Sequence, residues 1–229
     1  MIFDYFDQAY LINMDKDTER LAKMSERFKR LGFPAERISA FTCDIQPKHP
    51  MLRPGAFGCV LSHLHIWLLM LERNQQRALI FEDDAVFRDD TSALLQNIII
   101  PELKITESMW NWCYLGGHIG ADTHFSSLTP HLRQALYADQ THAYIMKREA
   151  IRPAMEYAHT ILANPVKSFD QFDGVPITRI FTIPILSIQE PIFSYSEEKW
   201  INRDHQYFPP FDQNDFKSNC QDATWLSLL

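Results

Sequence analysis

Ala78-Leu79-Ile80-Phe81-Glu82-Asp83-Asp84-Ala85-Val86-Phe87 is the stretch whose reading decides the fold. An apolar run leads into three carboxylates and then turns apolar again. A continuous apolar run of this length suits a strand buried on both faces of a parallel sheet. Ligand sites in such sheets open at the carboxyl ends of the strands. Three adjacent acids at that place are costly unless a cation neutralises them. The segment therefore reads as a metal site at the end of a buried strand. Extended geometry would put Glu82 and Asp84 on one face and Asp83 on the other.

Upstream, residues 9–13 read as a first strand. Residues 18–31 read as a helix with Leu21, Met24, Phe28 and Leu31 at helical spacing, capped by Asp15 or Asp17 and closed by Gly32. A second strand over residues 36–41 completes a β-α-β opening. After a proline-containing loop, Gly55 to Gly58 lead into a helix over residues 59–72, whose stripe is Val60, Leu64, Trp67, Leu68 and Leu71. Downstream, a helix starts at Thr91 and is stopped by Pro101. Residues 109–115 form a buried strand ended by Gly116 and Gly117. Residues 143–146 form another strand, 147–163 a helix, and 183–188 a last strand. No internal repeat and no linker divides the chain. The expectation is an α/β fold: a Rossmann-type, mostly parallel sheet flanked by helices, one domain over 1–229, with a polar tail from about residue 196.

Composition narrows the function classes. The net charge is -7, so bulk attraction to nucleic acid or anionic lipid is not expected. No apolar run approaches the roughly 18–20 residues that span a bilayer. Asp4 and Asp7 stand where a signal peptide carries basic residues, which points to a cytoplasmic protein. Cys43, Cys59, Cys113 and Cys220 make no Cys-x-x-Cys pair, so they read as reduced thiols rather than a structural zinc site. A Gly-x-Gly-x-x-Gly or Walker loop is absent, which removes the main support for dinucleotide or P-loop binding.

Four blocks, in order, resemble glycosyltransferase family 25, the lipooligosaccharide galactosyltransferase type related to collagen galactosyltransferases. Tyr10-Leu11-Ile12-Asn13 with Asp17 and Arg20 resembles the family's opening strand and Asp-Arg turn. Gly58, Ser62, His63 and Trp67 are similar to its Gly-x-x-x-Ser-His-x-x-x-Trp block. Phe81-Glu82-Asp83-Asp84 resembles its Glu-Asp-Asp signature, and Thr141-His142-Ala143-Tyr144 its Thr-x-x-Tyr strand. The resemblance covers about residues 9–195. It implies a GT-A-like fold, a UDP-sugar donor, a Mn²⁺ or Mg²⁺ ion, and a glycan or glycolipid acceptor.

On that footing Asp84 is the expected direct metal ligand. Glu82 is expected on the ion or the ribose, Asp83 orients a partner, and His142 could complete the metal site. Asn13, Asp17, Arg20, Arg53, Ser62, His63, Gly116, Gly117 and His118 are the candidate donor contacts. Inverting transfer needs a base that deprotonates the acceptor hydroxyl. Asp170 and Asp173, in a segment that departs from the family's short acidic motif, are the candidates. Each of these residues also has an ordinary use as a cap, a turn or a satisfied core group. A cytoplasmic enzyme working on a lipid-linked acceptor would touch the inner membrane face peripherally, with Trp200, Phe208, Phe211 and Trp225 as aromatic contacts. The rival is a catalytically idle nucleotide-sugar-binding or scaffold domain of the same fold. A two-metal phosphoesterase is disfavoured, because His118, His124, His131 and His142 lack suitable spacing.

Overall fold

The structure, a computed structural model, describes residues 2–42, 54–117, 126–134, 140–163, 172 and 174–190, with the backbone alone of 193–194 and 199–200. In chain order, β1 (Gln8–Asn13), α1 (Thr18–Leu31) and β2 (Glu36–Ser39) form the expected opening. Then follow α2 (Pro54–Glu72), β3 (Arg77–Glu82), β4 (Ala85–Phe87), α3 (Thr91–Leu94), α4 (Ile100–Ile105) and β5 (Trp112–Tyr114). The rest is β6 (Ser126–Ser127), β7 (Leu132–Gln134), β8 (Ala143–Lys147), α5 (Arg148–Ala163), β9 (Arg179–Thr182), β10 (Ser187–Gln189), β11 (Phe193–Ser194) and β12 (Lys199–Trp200).

Eight strands form one sheet in the order β2-β1-β3-β8-β5-β9-β7-β6. β1 runs parallel to β2 and β3, and β5 parallel to β9. β8 runs against both β3 and β5, so the sheet is mixed at its centre. The α/β, GT-A-like layout expected from the sequence is therefore present, with β8 reversed within it. β4 leaves the main sheet and pairs antiparallel with β10.

Period-two alternation sorts the core into two layers. On one face Leu11, Leu79, Phe81, Cys113 and Ile145 pack with Met24, Phe28 and Leu31 of α1. On the other, Tyr10, Ile12, Ala78, Ile80, Trp112, Tyr144 and Met146 pack with Val60, Ile66, Trp67 and Met70 of α2 and with α5. Trp112 and Tyr144 stack with centroids 4.3 Å apart and planes 10° apart. Gly32 ends α1 at φ 76°, where a residue without Cβ carries no steric penalty.

Several local expectations change. α2 begins at Pro54, so Gly55 to Gly58 are helical. α2 is also long and apolar enough to span a bilayer by length and composition, contrary to the expectation that no segment is. Its Gly, Ser and His residues interrupt the run that was counted, and it packs as a core helix with Val60, Ser62, His63, Ile66 and Trp67 buried. Asp17 occupies the N-cap position of α1 but makes no side-chain cap bond, and Asp15 pairs with Arg37 instead. Pro101 does not stop the helix: residues 95–99 widen into a π turn and the chain re-enters α geometry at Ile100. The wider turn absorbs the N–H that proline lacks. Of the expected strand over 183–188 only Ser187 and Ile188 are in a strand, β10, and the strand before Pro184 is β9, which ends at Thr182. Cys113 is buried, and burial pushes its thiol pKa up, while Cys59 is only partly buried.

Candidate active site

The acidic strand ends at Glu82, two residues before the extended geometry through Asp84 that the sequence suggests. Glu82 is the last residue of β3, and Asp83 and Asp84 form the turn into β4. The expected period-two split of the three acids is therefore replaced by three separate directions. Each carboxylate meets a different element.

Glu82 keeps the parity of Ala78 and Ile80 and faces α2. Its Oε1 accepts from Thr141 Oγ1 at 2.8 Å and lies 3.3 Å from His63 Nε2. His63 is fully buried, and its Nδ1 lies 2.9 Å from the Tyr144 hydroxyl. Trp67 Nε1 donates to that same hydroxyl at 3.0 Å. Indole N–H can only donate, so it occupies a lone pair of the Tyr144 oxygen. The hydroxyl proton is then best placed on His63 Nδ1, which assigns the ring proton to Nε2, facing Glu82. Burial acts to raise the Glu82 pKa, but the hydrogen bonds from His63 and Thr141 outweigh it and hold the carboxyl below its ordinary value. Trp67, His63, Tyr144 and Thr141 thus join two distant sequence blocks in one chain ending on Glu82.

Asp83 turns toward the end of β1. Asn13 Nδ2 donates to its Oδ2 at 2.8 Å and Arg20 Nη1 to its Oδ1 at 3.0 Å. Arg37 of β2 fixes the Asn13 amide by donating from Nε to Asn13 Oδ1 at 2.9 Å. Asn13 also donates to the backbone oxygen of Asp17. Burial pushes the Asp83 carboxyl above its ordinary value, although Arg20 and Asn13 pull the other way. Arg20, expected on a phosphate, is engaged by this acid.

Asp84 turns to the β4–β10 pair. Gln189 Nε2 donates to its Oδ2 at 3.2 Å, and Glu190 N donates to its backbone oxygen at 2.7 Å. His142 is fully buried and lies on the β8 side, with its backbone oxygen accepting from Glu82 N at 2.9 Å. The structure brings Glu82 and His142 together and aims Asp84 at Gln189.

Two of the expected donor contacts have other work. Ser62 donates to Gly58 O at 2.7 Å and accepts from Phe41 N at 2.9 Å. A Cβ on Gly58 would meet Phe41 O at 2.4 Å. Gly58 and Ser62, one turn apart on α2, therefore clamp the chain leaving β2. Gly116 does not offer open backbone to a ligand: a Cβ there would stand 1.8 Å from Ser187 O and 2.7 Å from His142 Nε2. Arg53, His118, Asp170 and Asp173 lie outside the described residues.

Cys59, His63 and Glu82 place ligand atoms within 4.8 Å of one another. Sulfur, nitrogen and oxygen together suit zinc rather than the hard ions that prefer oxygen. Both ring nitrogens of His63 are already engaged by Tyr144 and Glu82. Mg²⁺ in nucleotide sites is held by one or two carboxylates plus phosphate oxygens and water. The Asp84 turn, with an amide beside the carboxylate, fits that pattern.

Arg37, Tyr144 and Gln189 are further members of the site. Arg37 and Gln189 carry no local sequence signal, because their partners are set by strand pairing. Tyr144 stood inside the Thr-x-x-Tyr block, whose four-residue length was the available clue.

The model of glycosyltransferase family 25, described as an LPS biosynthesis protein family, matches residues 6–169. A "Glycosyltransferase 25 family member" of Anopheles gambiae is 35% identical over 127 residues, covering 47% of this chain and 21% of that protein. "Procollagen galactosyltransferase 1-B" of Xenopus laevis is 23% identical over 211 residues, covering 83% of this chain and 33% of that protein. "Inactive glycosyltransferase 25 family member 3" of Mus musculus is 25% identical over 130 residues, covering 48% of this chain and 22% of that protein. The matches thus span between about a fifth and a third of these relatives' length. The family match takes in the Asn13–Arg20, Gly58–Trp67, Glu82–Asp84 and Thr141–Tyr144 blocks that converge on one turn, and the chain belongs to glycosyltransferase family 25.

Proposed function

We propose that this chain is a cation-assisted glycosyltransferase that moves a hexose, galactose from UDP-galactose, to a glycan acceptor of lipooligosaccharide or lipopolysaccharide type with inversion. One observation carries the reading. The residues of four separate family blocks meet at the carboxyl end of β3, where Asn13 and Arg20 hold Asp83, and His63 and Thr141 hold Glu82. The carboxyl ends of the strands are where α/β sheets take their ligands.

Asp84 would hold a Mn²⁺ or Mg²⁺ ion together with the donor's phosphate oxygens. That ion supplies charge neutralisation to the departing diphosphate. The protein's own residues do the positioning. The buried His63 and Tyr144 fix Glu82, and Arg37 fixes the amide that fixes Asp83. A rigid set of dipoles aimed at developing charge is worth more than a mobile one, because nothing reorganises during reaction. Asp170 and Asp173 stay the proposed bases. The cytoplasmic face of the membrane, and peripheral contact through the aromatic tail, are part of the same proposal.

Calorimetric titration of UDP with Mn²⁺ tests the cation reading. Wild type is expected to bind UDP in a Mn²⁺-dependent way and Asp84→Ala to lose that dependence. Equal Mn²⁺-dependent binding by both would sink it. A second reading, an idle binding domain, is favoured by the relative named as inactive in mouse. Release of UDP from UDP-sugars, or of GDP from GDP-sugars, separates the two, since turnover with any donor excludes the idle reading.

A further inference from the structure

We infer that Gln189 is a second protein ligand, beside Asp84, to the divalent cation proposed above, and that its amide turns over when the ion binds. The inference rests on the cation reading but adds a residue of β10 to it.

The pairing of β10 with β4 sets Gln189 opposite Ala85, next in sequence to Asp84. Gln189 is 7% exposed and its Nε2 donates to Asp84 Oδ2 at 3.2 Å. Its Oε1 is buried and accepts no hydrogen bond among the described residues. Ser187, two residues earlier and on the same face of β10, is fully buried with its hydroxyl likewise unmatched. Leaving a buried polar atom without a partner is unfavourable, because it gives up its bonds to water and gains none in return. Ser187 and Gln189 are thus two buried polar groups on one face of β10, where a purely structural strand would carry apolar ones.

The chemistry of the unmatched atom names the ligand. Oε1 is a neutral oxygen acceptor on the amide whose nitrogen meets a carboxylate, and a carboxylate with a second oxygen beside it attracts a hard cation. Two ligands at right angles on an ion with bonds of about 2.1 Å stand about 3 Å apart. The Gln189 amide and Asp84 Oδ2 already hold that separation, at 3.2 Å. Without an ion, two oxygens at this distance would repel, so the amide presents its NH₂ to the carboxylate. Rotation of the amide by half a turn replaces that donor with the carbonyl oxygen. No backbone movement is required, and the amide nitrogen serves as a stand-in for the ion.

The test is Mn²⁺ affinity in the presence of UDP, read by calorimetry and by the electron paramagnetic resonance of free Mn²⁺. Gln189→Leu, of similar size but without the carbonyl, is expected to weaken Mn²⁺ binding about tenfold or more, within the range seen when a metal site loses a supporting group. Gln189→Glu, which keeps an oxygen and adds charge, is expected to bind Mn²⁺ at least as tightly as wild type. Wild-type affinity in Gln189→Leu alongside loss in Asp84→Ala would overturn the Gln189 assignment and leave the cation reading standing. Wild-type affinity in Asp84→Ala would overturn the cation reading itself, and this inference with it. If Gln189→Leu does not fold, Gln189→Glu decides: weaker Mn²⁺ binding than wild type overturns the assignment. Weakened binding of UDP-sugars with unchanged Mn²⁺·UDP binding would overturn it too, marking Gln189 as a contact to sugar hydroxyls.

Discussion

Asn13 Nδ2 donates to Asp83 Oδ2 at 2.8 Å, joining the end of the first strand to the acidic turn seventy residues later. The bond is buried, and Arg37 removes its freedom from the other side by engaging Asn13 Oδ1. Asn13→Ala strips a donor from a carboxylate that is only 7% exposed. Loss of one charge-assisted bond of this kind costs about 1.5–3 kcal/mol. Urea unfolding should show that decrease at pH 7, and a change under 0.5 kcal/mol would refute a supporting role for Asn13.

Tyr144 carries the proton that sets the His63 tautomer. Tyr144→Phe leaves the Trp67 N–H and His63 Nδ1 without their buried partner, at a combined cost of about 2–4 kcal/mol. A second readout is specific to the relay. In wild type, the ¹⁵N shifts of His63 should report a protonated Nε2 and an unprotonated Nδ1. In Tyr144→Phe the Nδ1 form should gain population. Identical ¹⁵N shifts in the two proteins would show that Tyr144 does not direct the ring.

Gly116 is required by the approach of another chain segment rather than by a turn. A methyl group there meets the backbone oxygen of Ser187 at 1.8 Å, and Leu115 O accepts from the amides of both Leu186 and Ser187. Backbone cannot step aside as a flexible side chain can. Gly116→Ala is expected to destabilise by about 3 kcal/mol or more. Gly174→Ala is the informative contrast, since its Cβ would meet nothing and only its φ of 73° is unfavourable. That positive φ should cost about 1–2 kcal/mol. Thermal unfolding of both variants decides the order.

Glu190 ties the β4–β10 pair beside Asp84 to α1. Arg27 donates to Glu190 Oε2 and to the backbone oxygen of Ala85, both at 2.9 Å. Burial works to raise the Glu190 pKa, but Arg27 and then Lys23 prevail, so the folded-state pKa lies below the ordinary 4.5. A carboxyl depressed on folding stabilises at pH values above its unfolded pKa. That stability is lost as the pH falls through the lower folded value. Glu190→Gln is therefore expected to cost about 0.5–1.5 kcal/mol at pH 7. The gap between wild type and variant should narrow as the pH is lowered from about 5 toward 3. A gap that widens over that range would contradict the assignment.

The amino-acid sequence by itself determined the elements whose signals are local. The run Ala78 to Phe81 specified a central strand, the spacing of Leu21, Met24, Phe28 and Leu31 specified α1, and Gly32 marked its end. Parity along β3 also put Glu82 on the face of Ala78 and Ile80, because alternation persists until the strand stops, while packing decided that this face meets α2. The tertiary structure decided the rest. Where β3 stops depends on β10 capturing β4, a contact across about a hundred residues that turns Asp83 and Asp84 away from strand geometry. The edge strand β6 and its neighbour β7, at two and three residues, are too short to carry a period and exist only through their pairing. The partners of Asp83, Asp84 and Glu82 come from β1, β10, α2 and the start of β8, and hydrogen bonds between such distant residues leave no spacing to read. Gly116 and Ser62 show the same limit: one chain segment crossing another gives them roles that no neighbouring residue announces. The sequence could say that three carboxylates needed counter-charge, because repulsion is local; which groups supply it was set by the packing of strands and helices around the turn.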